Sequence, residues 1–198
     1  MMAVDETLTP ARLADFLTHD YPRLRLYMGE TAFNTLARHC LAATEAPNVR
    51  SLSRHLPDFL DVTKPFARSP ELSDLARLEL AFHAALHAPE ASKASQPLHP
   101  SVQRLQTRTN AASIWAASTA GELPPPPQSL DAPQELLVWR QGVAARFRML
   151  GREEAAALDA AARGKAIDAD QVSESFLRGW LEAEIISAVR DLKDASEK

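Results

Sequence analysis

The chain has 198 residues, 45% hydrophobic and 24% charged, enough to bury a core without metal or disulfide staples. Its 22 Lys plus Arg against 26 Asp plus Glu leave a net charge of −4, and a cut at residue 100 gives 10 basic against 12 acidic before it and 12 against 14 after it, so neither half is a basic nucleic-acid domain. A lone Cys40 excludes an internal disulfide, no apolar run approaches ~18 residues, and the polar start has no signal-peptide pattern, so the expectation is a cytoplasmic protein with no membrane partner.

Thr9 before Pro10 reads as a cap with proline at the first helical position, and Leu13, Phe16 and Leu17 share one face of the helix that follows. Pro22 opens a short second segment with Leu24, Leu26 and Tyr27, and Gly29 stops it. A third helix carries Phe33, Leu36, Ala37, Cys40 and Leu41 at spacings of three and four, so the Cys40 thiol is expected as a small buried hydrophobe. After Pro47, Leu52, Leu56, Phe59 and Leu60 recur at helical spacing around Pro57, which is expected to bend or split that helix. Ser69-Pro70 opens the strongest helix, 70–87, with Leu72, Leu75, Leu78, Phe82 and Leu86 expected inward. Residues 9–88 therefore read as a helical domain.

The Pro-, Ser- and Ala-rich stretch 89–100 reads as a linker, and 101–192 as a mixed C-terminal unit. Residues 102–107 fit an edge strand, Asn110 is placed to cap a short helix through Ile114 and Trp115, and Pro124-Pro125-Pro126-Pro127 makes 121–133 a stiff loop or spacer. Leu136, Val138 and Trp139 fall in an extended segment at 135–140. In 143–150, Val143, Ala145, Phe147 and Met149 alternate with Ala144, Arg146 and Arg148. With Gln141-Gly142 as a two-residue turn, these form a hairpin with one apolar and one arginine-bearing face; a helix through the same residues is the alternative. Glu153 and Glu154 suit the first turn of a helix through Leu158, stopped by Gly164, and a last helix after Asp168 carries Val172, Phe176, Leu177, Trp180, Leu181, Ile185 and Val189. The expected fold class is α+β and predominantly helical: an N-terminal helical bundle, then a small mixed unit with a β-hairpin or three-stranded sheet and C-terminal helices.

Glu79, His83 and His87, four apart, share a helix face that a divalent metal could use, but the HExxH order and any further local ligands are missing, so neither a metal nor a cofactor is expected. Glu79 is instead expected to pair with a neighbour, and Asp74 with Arg77, three apart, to brace the surface. No GxGxxG, GxxxxGK[ST] or GxSxG pattern occurs, and the chain is expected not to be an enzyme. The hairpin is the candidate site. An exposed strand edge can take up an extended peptide by strand addition, with Leu136, Val138, Arg140, Arg146 and Arg148 as candidate peptide-binding residues and the arginines selecting acidic segments. On that reading Val138→Pro weakens peptide binding more than Arg148→Ala.

The stretches YPRLRLYMGETAFNTLAR at 21–38, LPDFLD at 56–61, ELSDLARLELAFHAALHA at 71–88 and ELLVWRQGVAARFRML at 135–150 resemble the HvfC/BufC N-terminal domain family, long labelled a DNA-binding domain. Leu80 stands where that family usually has an aromatic, and His55-Leu56 where a tyrosine-glycine is common. The resemblance implies an accessory protein of RiPP biosynthesis of the methanobactin and bufferin type. Its partners would be an HvfB/BufB-like multinuclear iron-dependent oxidase, which modifies cysteines of a small ribosomal precursor peptide, and that peptide's leader region. The older label implies the alternative, a DNA-binding transcriptional regulator, which the net charge disfavours.

Overall fold

The computed structural model describes residues 9–43, 49–90, 98–162 and 173–186. Among them the chain folds as predominantly helical α+β, with eight α-helices and a three-stranded antiparallel sheet in the order β1-β2-β3. In chain order these are α1 (Pro10–Asp20), α2 (Pro22–Met28), α3 (Glu30–Ala42), α4 (Val49–Val62), α5 (Pro70–Leu86), β1 (Gln103–Thr109), α6 (Ala111–Ala120), β2 (Ser129–Gln141), β3 (Ala144–Met149), α7 (Arg152–Ala162) and α8 (Glu174–Glu182). Expected residues Gly164, Asp168, Val172 and Val189 lie outside the described residues.

The described residues fall into two compact units interleaved along the chain: 1–80 with 106–134, and 81–105 with 135–198. In the first, the Thr9 hydroxyl accepts the Arg12 N–H at 3.3 Å, and Gly29, at φ +79°, ends α2 and leads into α3, where a side chain would be strained. Leu13, Leu17, Leu24, Phe33, Leu36, Cys40, Leu56 and Leu60 are buried there, as their periodicity demands. Burial pushes the Cys40 thiol up to about 12, which keeps it protonated. Pro57 sits inside a single continuous α4.

The second unit holds the hairpin. β2 pairs with β3 from Leu136↔Met149 to Gln141↔Ala144, so the turn residues are Gly142 and Val143, one position later than the sequence suggests. Gly142, at φ +57°, takes the first central position, where glycine suits a two-residue hairpin. Val143 therefore leaves the strand and is 97% exposed, and Met149 is 63% exposed. The expected single apolar face is not formed. Instead both faces of β2 are covered, and the four successive residues 136–139 are all buried. On one face Leu137 and Trp139 join Leu158, Leu177, Trp180, Ile185 and Ile186 in a core; on the other, Val138 pairs with Phe147, whose ring meets Phe82 of α5 edge-to-face at 5.8 Å. Leu86, expected inward, is half exposed at the end of α5.

Candidate functional site

The sheet order places β2 in the middle and β3 at the edge. Which backbone groups of β3 face outward follows from its register. Leu150 N–H donates to the Glu135 carbonyl at 2.8 Å, extending the ladder by one hydrogen-bonded pair. In an antiparallel ladder hydrogen-bonded and open pairs alternate, so Ala144, Arg146 and Arg148 bond to β2 while Ala145 and Phe147 direct their N–H and C=O groups away from it. No further strand lies beyond β3 among the described residues.

The five candidate residues divide accordingly. Leu136 and Val138 lie fully buried on the middle strand, so they are core residues there and not an edge; their place is set by coverage on both faces, which a hairpin read in isolation does not reveal. Val138→Pro consequently reports on the fold. Arg140 is also on β2, and its guanidinium donates to the Leu86 carbonyl at 3.4 Å and the Ala88 carbonyl at 3.1 Å and pairs with Glu90 at 2.9 Å, closing the end of α5. The Arg140 N–H donates to the Ser101 hydroxyl at 3.0 Å. Arg148 forks onto buried Glu154, which also accepts the Trp180 indole N–H, and its guanidinium lies 5.9 Å from the Trp139 ring centre. Arg146, opposite Trp139 on β3, is exposed and has no ion-pair partner among the described residues.

Burial pushes the Glu154 carboxyl up, but the Arg148 fork and the Trp180 N–H outweigh it and hold the group below the usual carboxylate range. This is a structural strut that ties β3 to α7 and α8. A second strut joins the same unit, where Arg104 bridges Glu135 and Asp159.

The first unit contains the other buried carboxylates, and they do more than the sequence indicates. Asp74, expected as a surface brace, is fully buried; one of its oxygens accepts the Arg108 N–H at 2.7 Å and the Thr109 N–H and hydroxyl, both at 2.9 Å. Arg77 reaches Asp61 and, at 3.5 Å, Asp74, while Arg108 pairs with Asp61 at 2.7 Å. Glu79 points at the start of α2, where it accepts the N–H groups of Arg23 at 2.7 Å and Leu24 at 3.0 Å in place of a local cap. Burial raises its carboxyl to about 7, against the lowering effect of those two donors and the Arg23 charge. His83 and His87 stack with ring centres 4.2 Å apart, and His87 Nδ1 bonds the His83 carbonyl at 2.9 Å. Among the described residues no group of three or more His, Cys, Asp or Glu is arranged to hold a metal ion, and no helix is long and apolar enough to cross a membrane.

The alternation of outward amides on β3 is the site feature the sequence does not disclose, because it depends on where the turn falls. A one-residue change in the turn would exchange the inward and outward sets. The chain matches no family model and no curated protein sequence.

Proposed function

We propose that this chain is a non-catalytic accessory protein that takes up an extended segment of a small precursor peptide along the outer edge of β3. The observation that carries the reading is the outward N–H and C=O groups of Ala145 and Phe147, two residues apart on an edge strand, with the exposed Arg146 between them. A peptide strand pairing there places alternate side chains on opposite faces, and a carboxylate near Arg146 gains charge complementarity. The β3 edge is shared chemistry for any extended peptide. The resemblance to the HvfC/BufC family supplies the narrower reading: a leader segment presented in the cytoplasm to a multinuclear iron-dependent oxidase that carries the oxygen chemistry.

The alternative, a DNA-binding regulator, is disfavoured by the net charge of −4 and by the even interleaving of acidic with basic residues in both halves of the sequence. The test is co-expression with the iron-oxidase homologue encoded nearest to the chain, followed by size-exclusion chromatography with light scattering and iron quantification. One heteromeric peak containing iron supports the accessory role. Two separate peaks remove the oxidase from the proposal and leave peptide binding to stand on the β3 edge alone.

A further inference from the structure

Residues 122–128 form a segment without helix or strand, and its sequence dictates its shape. Leu123, Pro124, Pro125 and Pro126 each precede a proline and are thereby kept out of the helical region, while the four prolines have φ fixed near −65°. The result is a polyproline-type strand with three residues per turn, which sets Leu123 above Pro126 on one edge and Pro124 above Pro127 on the next.

The strand is held at both ends. Gly121, at φ +73°, closes α6, and Glu122 N–H donates to the Ala117 carbonyl at 2.9 Å. At the far end Asn110, expected to cap α6 with its side chain, instead clamps this segment: its Nδ2 donates to the Pro126 carbonyl at 2.9 Å, its Oδ1 accepts the Gln128 N–H at 2.8 Å, and its own N–H donates to the Gln128 carbonyl at 3.0 Å. Between those anchors Pro124 and Pro125 are half-buried, whereas Pro126 and Pro127 are exposed and Leu123 is 94% exposed. Beside the strand runs a trough of about 750 Å³ whose other wall is Leu26, 70% exposed, and Tyr27.

We propose that residues 122–127 are a preformed polyproline ligand for a partner protein whose shallow groove is lined by aromatic side chains and flanked by Lys or Arg. Three features of the surface specify that occupant. The ligand strand is fixed before the partner arrives, so docking orders little additional chain. The trough between the strand and the Leu26 and Tyr27 wall has room for an aromatic side chain of the partner, which would cover Leu123 and Pro126 from the other side. Finally, no Lys or Arg occurs between Arg108 and Arg140, while Glu122 and Asp131 are exposed on either side of the prolines, so the segment's charge complements a basic flank. This proposal does not depend on the function proposed above.

The experiment is isothermal titration of the full chain with two purified probes that read polyproline strands, a WW domain and an EVH1 domain, each chosen with a basic residue beside its groove. At least one is expected to bind with Kd below about 1 mM. Leu123→Ala, Pro126→Ala and Glu122→Lys should each weaken that binding by about fivefold or more, and Val143→Ala, at an equally exposed apolar position, should leave it unchanged. Leu123 is almost entirely exposed, so its variant keeps the fold, and circular dichroism checks the others. No binding by either probe overturns the proposal. Binding that ignores Leu123→Ala and Pro126→Ala, or that responds to Glu122→Lys alone, overturns it as well.

Discussion

β2 and β3 are partners in one hairpin, yet they are built on opposite principles. Along β2, residues 136–139 are buried in succession because both faces of the strand are covered, the Leu137 and Trp139 face by the Leu158 and Trp180 core, while Val138 on the other lies beside the β3 residue Phe147, whose ring meets Phe82. Along β3, exposure changes from residue to residue: Arg146 and Met149 are open, while Phe147 and Arg148 are half-buried. The middle strand spends its side chains and backbone on the fold; the edge strand keeps half of its backbone groups outward. Of these two strands, strand addition is open to the second alone, and the arginines that look alike in sequence are separated by the same distinction.

The largest expected effect comes from placing proline where β3 is tied to β2. Arg146→Pro deletes an inward N–H and should cost on the order of 2–4 kcal/mol, seen as a lowered urea midpoint with unchanged slope. Next is the strut beneath the strand: Glu154→Ala leaves Arg148 and the Trp180 indole without their acceptor, for a loss of about 2 kcal/mol after allowing for the partial exposure of Arg148. Glu154 has a lowered folded pKa, so its contribution is present above the unfolded value of 4.5 and is lost as pH falls through the folded one. Glu79 has the opposite sign. Its folded value is raised to about 7, so its contribution is full below 4.5 and disappears as pH rises through 7; Glu79→Gln should flatten that limb in a pH series of denaturation midpoints.

Smaller still on stability, but decisive for the proposed peptide binding, is Ala145→Pro. Its N–H faces outward, so the fold should change by less than about 1 kcal/mol while uptake of an extended peptide falls at least about tenfold. The smallest effect belongs to Arg146→Ala, within about 0.5 kcal/mol of the parent, with a severalfold loss of affinity confined to acidic peptides. If Ala145→Pro and Arg146→Pro proved equally destabilising, the assignment of inward and outward groups would be wrong.

Much of the fold is legible in the sequence because it rests on local chemistry. Thr9-Pro10, Gly29 and the spacing from Phe33 to Cys40 specify helix ends and faces without reference to distant residues. The hairpin is legible as an alternation, but the turn is displaced by one residue, and with it the fate of Val143. What cannot be read locally is how distant elements share groups. Asp74 meets Arg108 and Thr109, Glu79 meets the start of α2, and Arg140 meets the end of α5, each across 30 or more positions. The run Leu136-Leu137-Val138-Trp139 was the available signal that the strand is covered on both faces, since four apolar residues in succession have no polar side.

The central claim is that an extended peptide pairs with the outward groups of β3. Amide hydrogen exchange resolved by residue, with and without an extended acidic peptide, measures it directly. The amides of Ala145 and Phe147 should gain protection on peptide addition, while Ala144, Arg146 and Arg148, already bonded to β2, change little. Binding that leaves Ala145 and Phe147 exchanging as in the free protein would contradict the account.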